Sequence, residues 1–217
     1  MFNKILQQFR CNHNPTQAEP MAKYMKNRFS YLGLSRPERN TIQAGFLKEV
    51  KKEKETNWEF VAQCWGLPER EYQYLAVDYL IVLATSLQKE DMAELELLIT
   101  QKSWWDTIDI IAAKLVGGLC KQYPELIEDY ILPWAASDNI WLVRTAILFQ
   151  LKYKQDTNTM LLTRIILLNN NSQEFFINKA IGWILREYSK SNQEWVKDFI
   201  ANNPLHPLSV REGSKYL

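Results

Sequence analysis

Pro68-Glu69-Arg70-Glu71-Tyr72-Gln73-Tyr74-Leu75-Ala76-Val77-Asp78-Tyr79-Leu80-Ile81-Val82-Leu83 reads as an amphipathic helix, and it decides the fold class. Pro68 pre-sets the backbone of a first turn. Tyr72, Leu75, Ala76, Tyr79, Leu80 and Leu83 then recur at three and four residues, the spacing that gathers apolar side chains on one helix face. Similar signals lie on both sides. Upstream, Asn14 and Pro15 open a helix expected to run to about Asn27, and Ser35 to Pro37, with Glu38 in the first turn, open one to about Glu55. Asn57 caps a third that stops near Gly66. Downstream, helices are expected over roughly 90–100, 104–120, 124–136, 139–154, 158–168, 174–190 and 193–202, and Ser209–Leu217 begins one more. The joints are brief and carry Gly, Pro, Asn or Asp, and no strand pattern interrupts the series.

A fixed period runs through these helices. Small residues fall at Ala44, Ala76, Ala112, Ala146, Ala180 and Ser214, separated by 32, 36, 34, 34 and 34 residues. Two helices and two turns fill that length, which is the unit of an α-solenoid. A helix pair cannot bury its apolar stripe alone, so neighbours stack and share one core, with the second helix of each unit on a concave face. A non-repetitive helical bundle is the alternative.

Composition agrees with a water-soluble globular chain: 217 residues, 47% apolar and 24% charged. With 7 Gly and 8 Pro, collagen-like and many-turned all-β architectures are excluded. The longest apolar runs, such as 79–84, fall far short of a membrane helix, and the N-terminus lacks the apolar stretch of a secretory signal. Cys11, Cys64 and Cys120 form no CxxC pair, and His13 and His206 stand far apart, so neither a zinc site nor a disulfide framework is expected and a reducing cytoplasm fits. Net charge is +1, but it is unevenly spread. Residues 1–87 carry 12 basic and 9 acidic side chains, 88–139 carry 4 and 10, and 140–217 carry 10 and 6, a segregation that can build a basic surface on a near-neutral protein.

Several side chains sit where packing does not want them. On 174–190 the stripe is Ile177, Ala180, Ile181, Ile184 and Tyr188, whereas Trp183 shares a line with Lys179, Arg186 and Lys190. An indole amid three cations suits a polyanion that also offers sugars or rings, although Lys and Arg stems lying over a packed Trp would look the same. On 104–120, Trp105 and Asp109 stack four residues apart at the edge of the stripe. A carboxylate beside apolar surface needs a partner, and a salt bridge or hydrogen bond to the next repeat would supply one. Asp106 is better placed for solvent. Arg144 lies within the inward arc of Ile140, Val143, Ile147 and Leu151, so its guanidinium needs either a carboxylate such as Asp109 or a phosphate from outside. Asp78 is assigned to hydrogen bonding between repeats, and Glu53 and Glu55 to a solvated helix end. There is no phosphate-binding glycine loop, no serine-nucleophile motif and no cluster of metal ligands.

At these positions the chain resembles the AlkD family of DNA alkylation repair glycosylases, which are built from HEAT-like repeats. The matching stretches are 18–27, 67–71, 103–109, 137–142 and 179–188, almost from end to end. The resemblance implies a single domain over 1–217, a right-handed solenoid of about six helix pairs with a basic concave groove. It implies hydrolysis of the N-glycosidic bond of positively charged alkylpurines, N3-alkyladenine and N7-alkylguanine, in duplex DNA by a monomer that needs no cofactor or metal. Asp109 would be the catalytic carboxylate, with Trp105 and Trp183 around the deoxyribose. Arg144 would grip the backbone, with further DNA contacts from Tyr24, Lys26, Arg36, Lys179, Arg186 and Lys190. A cationic purine leaves as a neutral base, so no general acid and no lysine nucleophile are required, and the lesion would be read while its base stays stacked. Two features depart from the family. Ser35-Arg36 replaces a Gln-Thr pair, and the chain ends at Leu217 where relatives often continue. The competing readings are a DNA-binding solenoid that has lost excision and a protein-interaction scaffold.

Overall fold

The structure, a computed structural model, describes all 217 residues. It is helical throughout, with no β-strand and a single isolated bridge between Ser30 and Glu69. No helix is long and apolar enough to cross a membrane. The chain divides into two compact units, Met1–Leu87 and Gln88–Leu217.

The first unit holds α1 (Phe2–Cys11), α2 (Pro15–Tyr24), α3 (Arg36–Val50), α4 (Trp58–Gly66) and α5 (Arg70–Val82). Helix α1 has no counterpart in the sequence reading, because only Ile5 and Phe9, one turn apart, are buried along it. Helix α2 stops at Tyr24 rather than Asn27, since Lys26 and Asn27 both take left-handed backbone with φ of 58° and 54°. Asn14 opens it through its carbonyl, which accepts from Gln17 and Ala18, and not through its side chain. Ser35 and Glu38 form a reciprocal capping box on α3, and Asn57 caps α4 through the Phe60 N–H. Helix α3 ends at Val50, short of Glu55, where an exposed Lys-Lys-Glu-Lys-Glu run offers nothing to bury.

Helix α5 is buried almost all round: Arg70, Glu71, Tyr72, Gln73, Leu75, Ala76, Val77, Asp78, Tyr79 and Leu80 are all buried. Its polar members are therefore tied down. Glu71 accepts the N–H groups of Leu32, Gly33 and Leu34 at 2.9, 2.9 and 3.0 Å and so fixes the segment between α2 and α3. Gly33 is obligatory there, with φ of 83° and a Cβ position that would fall 2.0 Å from the Asn14 carbonyl oxygen. Asp78 accepts from Arg36 and Gln43 of α3, the inter-repeat bonding expected for it.

The second unit holds α6 (Asp91–Thr100), α7 (Trp105–Ile110), α8 (Gly117–Gln122), α9 (Leu132–Ala135), α10 (Ile140–Leu148), α11 (Thr159–Leu168), α12 (Phe175–Ser189), α13 (Gln193–Asn202) and α14 (Pro207–Gly213). Two π-helical segments, Ile111–Val116 and Ile127–Ile131, lead into α8 and α9 where the sequence suggests uninterrupted α-helix. Helix α10 is central, packing against α6, α7, α9, α11 and α12, and α12 in turn packs against α14. The repeat shows in the bonds that cross from one helix pair to the next within this unit. Asn169 Nδ2 donates to the Ala135 carbonyl and Asn170 Nδ2 to that of Pro204, each 34 residues away. Lys121 with Asp156 and Tyr123 with Gln88 are 35 apart, and Tyr153 with Gly117 is 36.

Of the small-residue series, Ala76, Ala112, Ala146 and Ala180 are fully buried. The two end members are not. Ala44 is exposed because α3 buries Arg39, Gln43, Phe46 and Val50 instead, and Ser214 yields its place to buried Gly213.

Candidate nucleic-acid-facing cleft

Helices α7, α10 and α12 begin at Trp105, Ile140 and Phe175, so Asp109, Arg144 and Lys179 each stand four residues into a helix, one full turn from its start. Three aromatic rings lock those helix starts together. Trp104 lies 5.6 Å from Trp141 and 4.9 Å from Phe176, and Trp141 lies 4.9 Å from Phe176, centroid to centroid. The π-helical turn that follows Asp109 is the type of local insertion often found at functional positions.

Asp109 and Arg144 meet as a bidentate pair. Arg144 Nε donates to Asp109 Oδ1 at 2.7 Å and Nη2 to Oδ2 at 2.9 Å, while Nη1 donates to the Phe176 carbonyl at 2.5 Å. Of the two anions open to Arg144, the carboxylate one repeat away is thus the one it touches. Its side chain is 4% exposed and that of Asp109 12%, so the carboxylate keeps a small accessible face. Burial pushes the Asp109 carboxyl above the ordinary aspartate value, the hydrogen bonds and charge of Arg144 pull it back, and the charge of Asp106 adds to the rise. Asp106, expected in solvent, is buried at 9% exposure, and the neighbouring Trp104 is buried with it.

A cleft of about 360 Å³ opens onto this pair, lined by Trp105, Asp109, Arg144, Phe175, Phe176, Lys179, Trp183 and Arg186. Six of the ten residues singled out from the sequence therefore share one cavity. Lys190, the fourth member of the Trp183 line, does not line it; its ammonium pairs with Glu187 at 2.6 Å and lies 5.4 Å from the Tyr216 ring. Tyr24, Lys26 and Arg36 belong to the first unit, all exposed, with Arg36 Nη1 donating to both oxygens of Asp78.

Two contributions escaped the sequence reading. Phe175 and Phe176 both line the cleft, and adjacent aromatics opening a helix are a signal, because only one of two neighbours can face the core. Glu212 on α14 carries three cations on a single oxygen. Lys215 Nζ, Lys179 Nζ and Arg186 Nη1 stand 2.8, 3.0 and 3.1 Å from Oε2. Those contacts, led by the hydrogen bonds of Lys215 and Lys179, hold the Glu212 carboxyl down at about 2. Nothing in Ser209-Val210-Arg211-Glu212-Gly213 marks this Glu as different from a solvated one. No group of three or more His, Cys, Asp or Glu side chains is placed to hold a metal ion.

An all-helical repeat carrying a largely buried acid, two half-buried indoles and a cationic rim defines a class of helical-repeat protein with a charged, aromatic-lined cleft. The chain matches the family described as DNA alkylation repair enzyme over residues 5–217, and it belongs to that family. It is similar to a solved structure described as a predicted DNA alkylation repair enzyme from Enterococcus faecalis, with 35% identity and a TM-score of 0.86, over 95% of this chain and 97% of that one. No curated protein matches the chain.

Proposed function

We propose that this DNA alkylation repair enzyme hydrolyses the N-glycosidic bond of positively charged alkylpurines in duplex DNA, N3-alkyladenine and N7-alkylguanine, with Asp109 as the catalytic carboxylate. The observation that carries this reading is the convergence of Asp109, Trp105 and Trp183 on one cleft rimmed by Lys179 and Arg186. Loss of a cationic purine as a neutral base builds positive charge on the sugar. A fixed carboxylate favours that oxocarbenium-like state and orients water toward it, and no second carboxylate acting as general acid is needed, unlike ordinary glycoside hydrolysis. Trp105 and Trp183 offer electron-rich faces to the same developing cation, worth about 1–2 kcal/mol each when desolvated.

Arg144 acts first on Asp109. Its fork spends two donors on the carboxylate and a third on the Phe176 carbonyl, which fixes the direction in which the acid faces. Two of the five guanidinium N–H groups remain for a DNA phosphate. Lys179 is the lysine of the cleft and is engaged by Glu212 at 3.0 Å; a cationic purine already leaves as a neutral base, so the proposed excision uses no amine nucleophile or Schiff base. Phosphates are held by Lys179 and Arg186, with Lys190, Tyr24, Lys26 and Arg36 as further contacts along the DNA. The lesion is read through its sugar and backbone, without extrusion into a closed pocket.

Release of N7-methylguanine from alkylated duplex DNA tests the reading directly. Asp109→Asn is expected to lower the rate by about 10²–10³ with little change in DNA affinity, the size of effect seen when one preorganised group is removed. Equal rates would take Asp109 out of the mechanism. The second reading, a DNA-binding repeat protein without excision, draws on the grip of Arg144 on both oxygens of Asp109. Binding of alkylated duplex with no base released by the unaltered protein would establish it.

A further inference from the structure

We infer that Glu212 is a positioning residue, a buried anchor that aims Lys179, Arg186 and Lys215 as one seat for a single DNA phosphodiester beside the cleft. The inference rests on the DNA reading above and extends it to two residues, Glu212 and Lys215, that lie outside the cleft lining. Three cationic nitrogens reach the same carboxylate oxygen within 3.1 Å, leaving the cluster a net charge of +2. Exposure separates the partners into layers. The Glu212 side chain is 6% exposed, whereas those of Lys179, Arg186 and Lys215 are 37%, 24% and 47% exposed. The acid therefore lies underneath and the cations lie between it and solvent. A phosphate approaching from solvent meets three donors already gathered and does not have to displace the carboxylate. Lysine and arginine side chains lose considerable rotamer freedom when fixed, and an anchor that removes this freedom beforehand strengthens what binds later.

The placement of Glu212 is itself built in. Gly182 of α12 lets α14 approach so closely that a Cβ at Gly182 would lie 2.5 Å from the Glu212 Cβ and 3.0 Å from the Ser209 carbonyl oxygen. Ser209 Oγ reinforces the contact by donating to the Asn178 carbonyl at 2.9 Å. Lys179 and Arg186 thus receive their shared anion from a separate helix, whose position is fixed by backbone contact.

The test turns on a sign. Glu212→Gln makes the protein more positive by one charge, which by simple attraction would tighten DNA binding. Loss of the anchor is expected to weaken binding of unmodified duplex DNA about ten-fold instead, and to lower the slope of log affinity against log salt by about one phosphate contact. Glu212→Asp keeps the charge but shortens the reach, and it is expected to weaken binding in the same direction. Affinity equal to or tighter than the unaltered protein in Glu212→Gln, with the same slope, would overturn the inference. Lysine methylation of the unaltered protein gives a second readout that depends on no variant folding. Unmodified duplex is expected to protect Lys179 and Lys215 together, and protection of neither would overturn the proposal. These readouts use undamaged DNA, so failure to excise alkylpurine defeats the glycosylase reading alone, whereas binding without lysine protection defeats this one alone.

Discussion

The chemistry of Asp109 is set by two opposed influences, burial and Arg144, and their balance has a measurable direction. Because its native carboxyl titrates above the ordinary aspartate value, excision that needs the anion loses rate on acidification at a higher pH than an exposed aspartate would require. Arg144→Ala removes the pull toward the anion, so the acid limb of kcat against pH is expected to move further up, and Arg144→Lys, which keeps charge but not the fork, to fall between. A limb that stays in place in both variants would separate Arg144 from the carboxylate. The stability consequence has the corresponding sign. The native state binds this proton more tightly than the unfolded chain does, so the contribution of Asp109 to stability is greatest below its ordinary value and is lost as pH rises through the native one. Glu212 works the other way. Its stabilising contribution is present above the ordinary glutamate value and is lost as pH falls toward about 2. At this scale the sequence was informative where oddity was local. An acid and an indole four residues apart, or an arginine in an apolar arc, stand out from their neighbours. Glu212 does not, because what distinguishes it arrives from residues 33 and 26 positions away.

Elements were legible to the extent that their ends are written in side chains. Ser35 and Asn57 cap by hydrogen bonds to nearby N–H groups, and the helices they open start as expected. The end of α2 depends on two left-handed residues, Lys26 and Asn27, whose identities do not demand that conformation, and the π-helical turns leave the apolar spacing nearly intact. Burial of α5 and α10 on all sides was also hidden, since a helix flanked by neighbours tolerates polar residues such as Glu71 and Gln73 only because distant backbone supplies their partners. Glu71→Ala is therefore expected to destabilise the first unit by about 3 kcal/mol or more, because three buried N–H groups lose their acceptor at once. Urea denaturation measures it, and a change under 1 kcal/mol would show that water replaces the carboxylate. Gly182→Ala is expected to push α14 away from α12 at a cost of about 1–3 kcal/mol, and to weaken DNA binding as Glu212 withdraws. Unchanged stability together with unchanged binding would mean that α14 shifts without moving its acid.

For the molecule as a whole, attraction to DNA cannot come from net charge, which is +1. It has to come from where the cations stand. Lys179→Met is expected to lower the salt slope of DNA binding by about one, whereas Lys197→Met, an exposed lysine of α13, is expected to leave it unchanged. Equal effects from the two would mean that binding reads total charge and not the cleft. The repeat period was visible at this scale because a spacing of 32 to 36 residues recurs along the entire chain. It blurred at Ala44 and Ser214, where other residues take the buried place.

Asp109, Arg144 and Lys179 occupy the same address in three consecutive repeats, each 35 residues from the next. The lining of the cleft is therefore composed like a word, one letter per repeat, with the backbone acting as the ruled line beneath it. Two of the letters are bonded to each other, since Arg144 grips both oxygens of Asp109 across the joint between repeats, so a new specificity can be spelled here only by exchanging adjacent letters together.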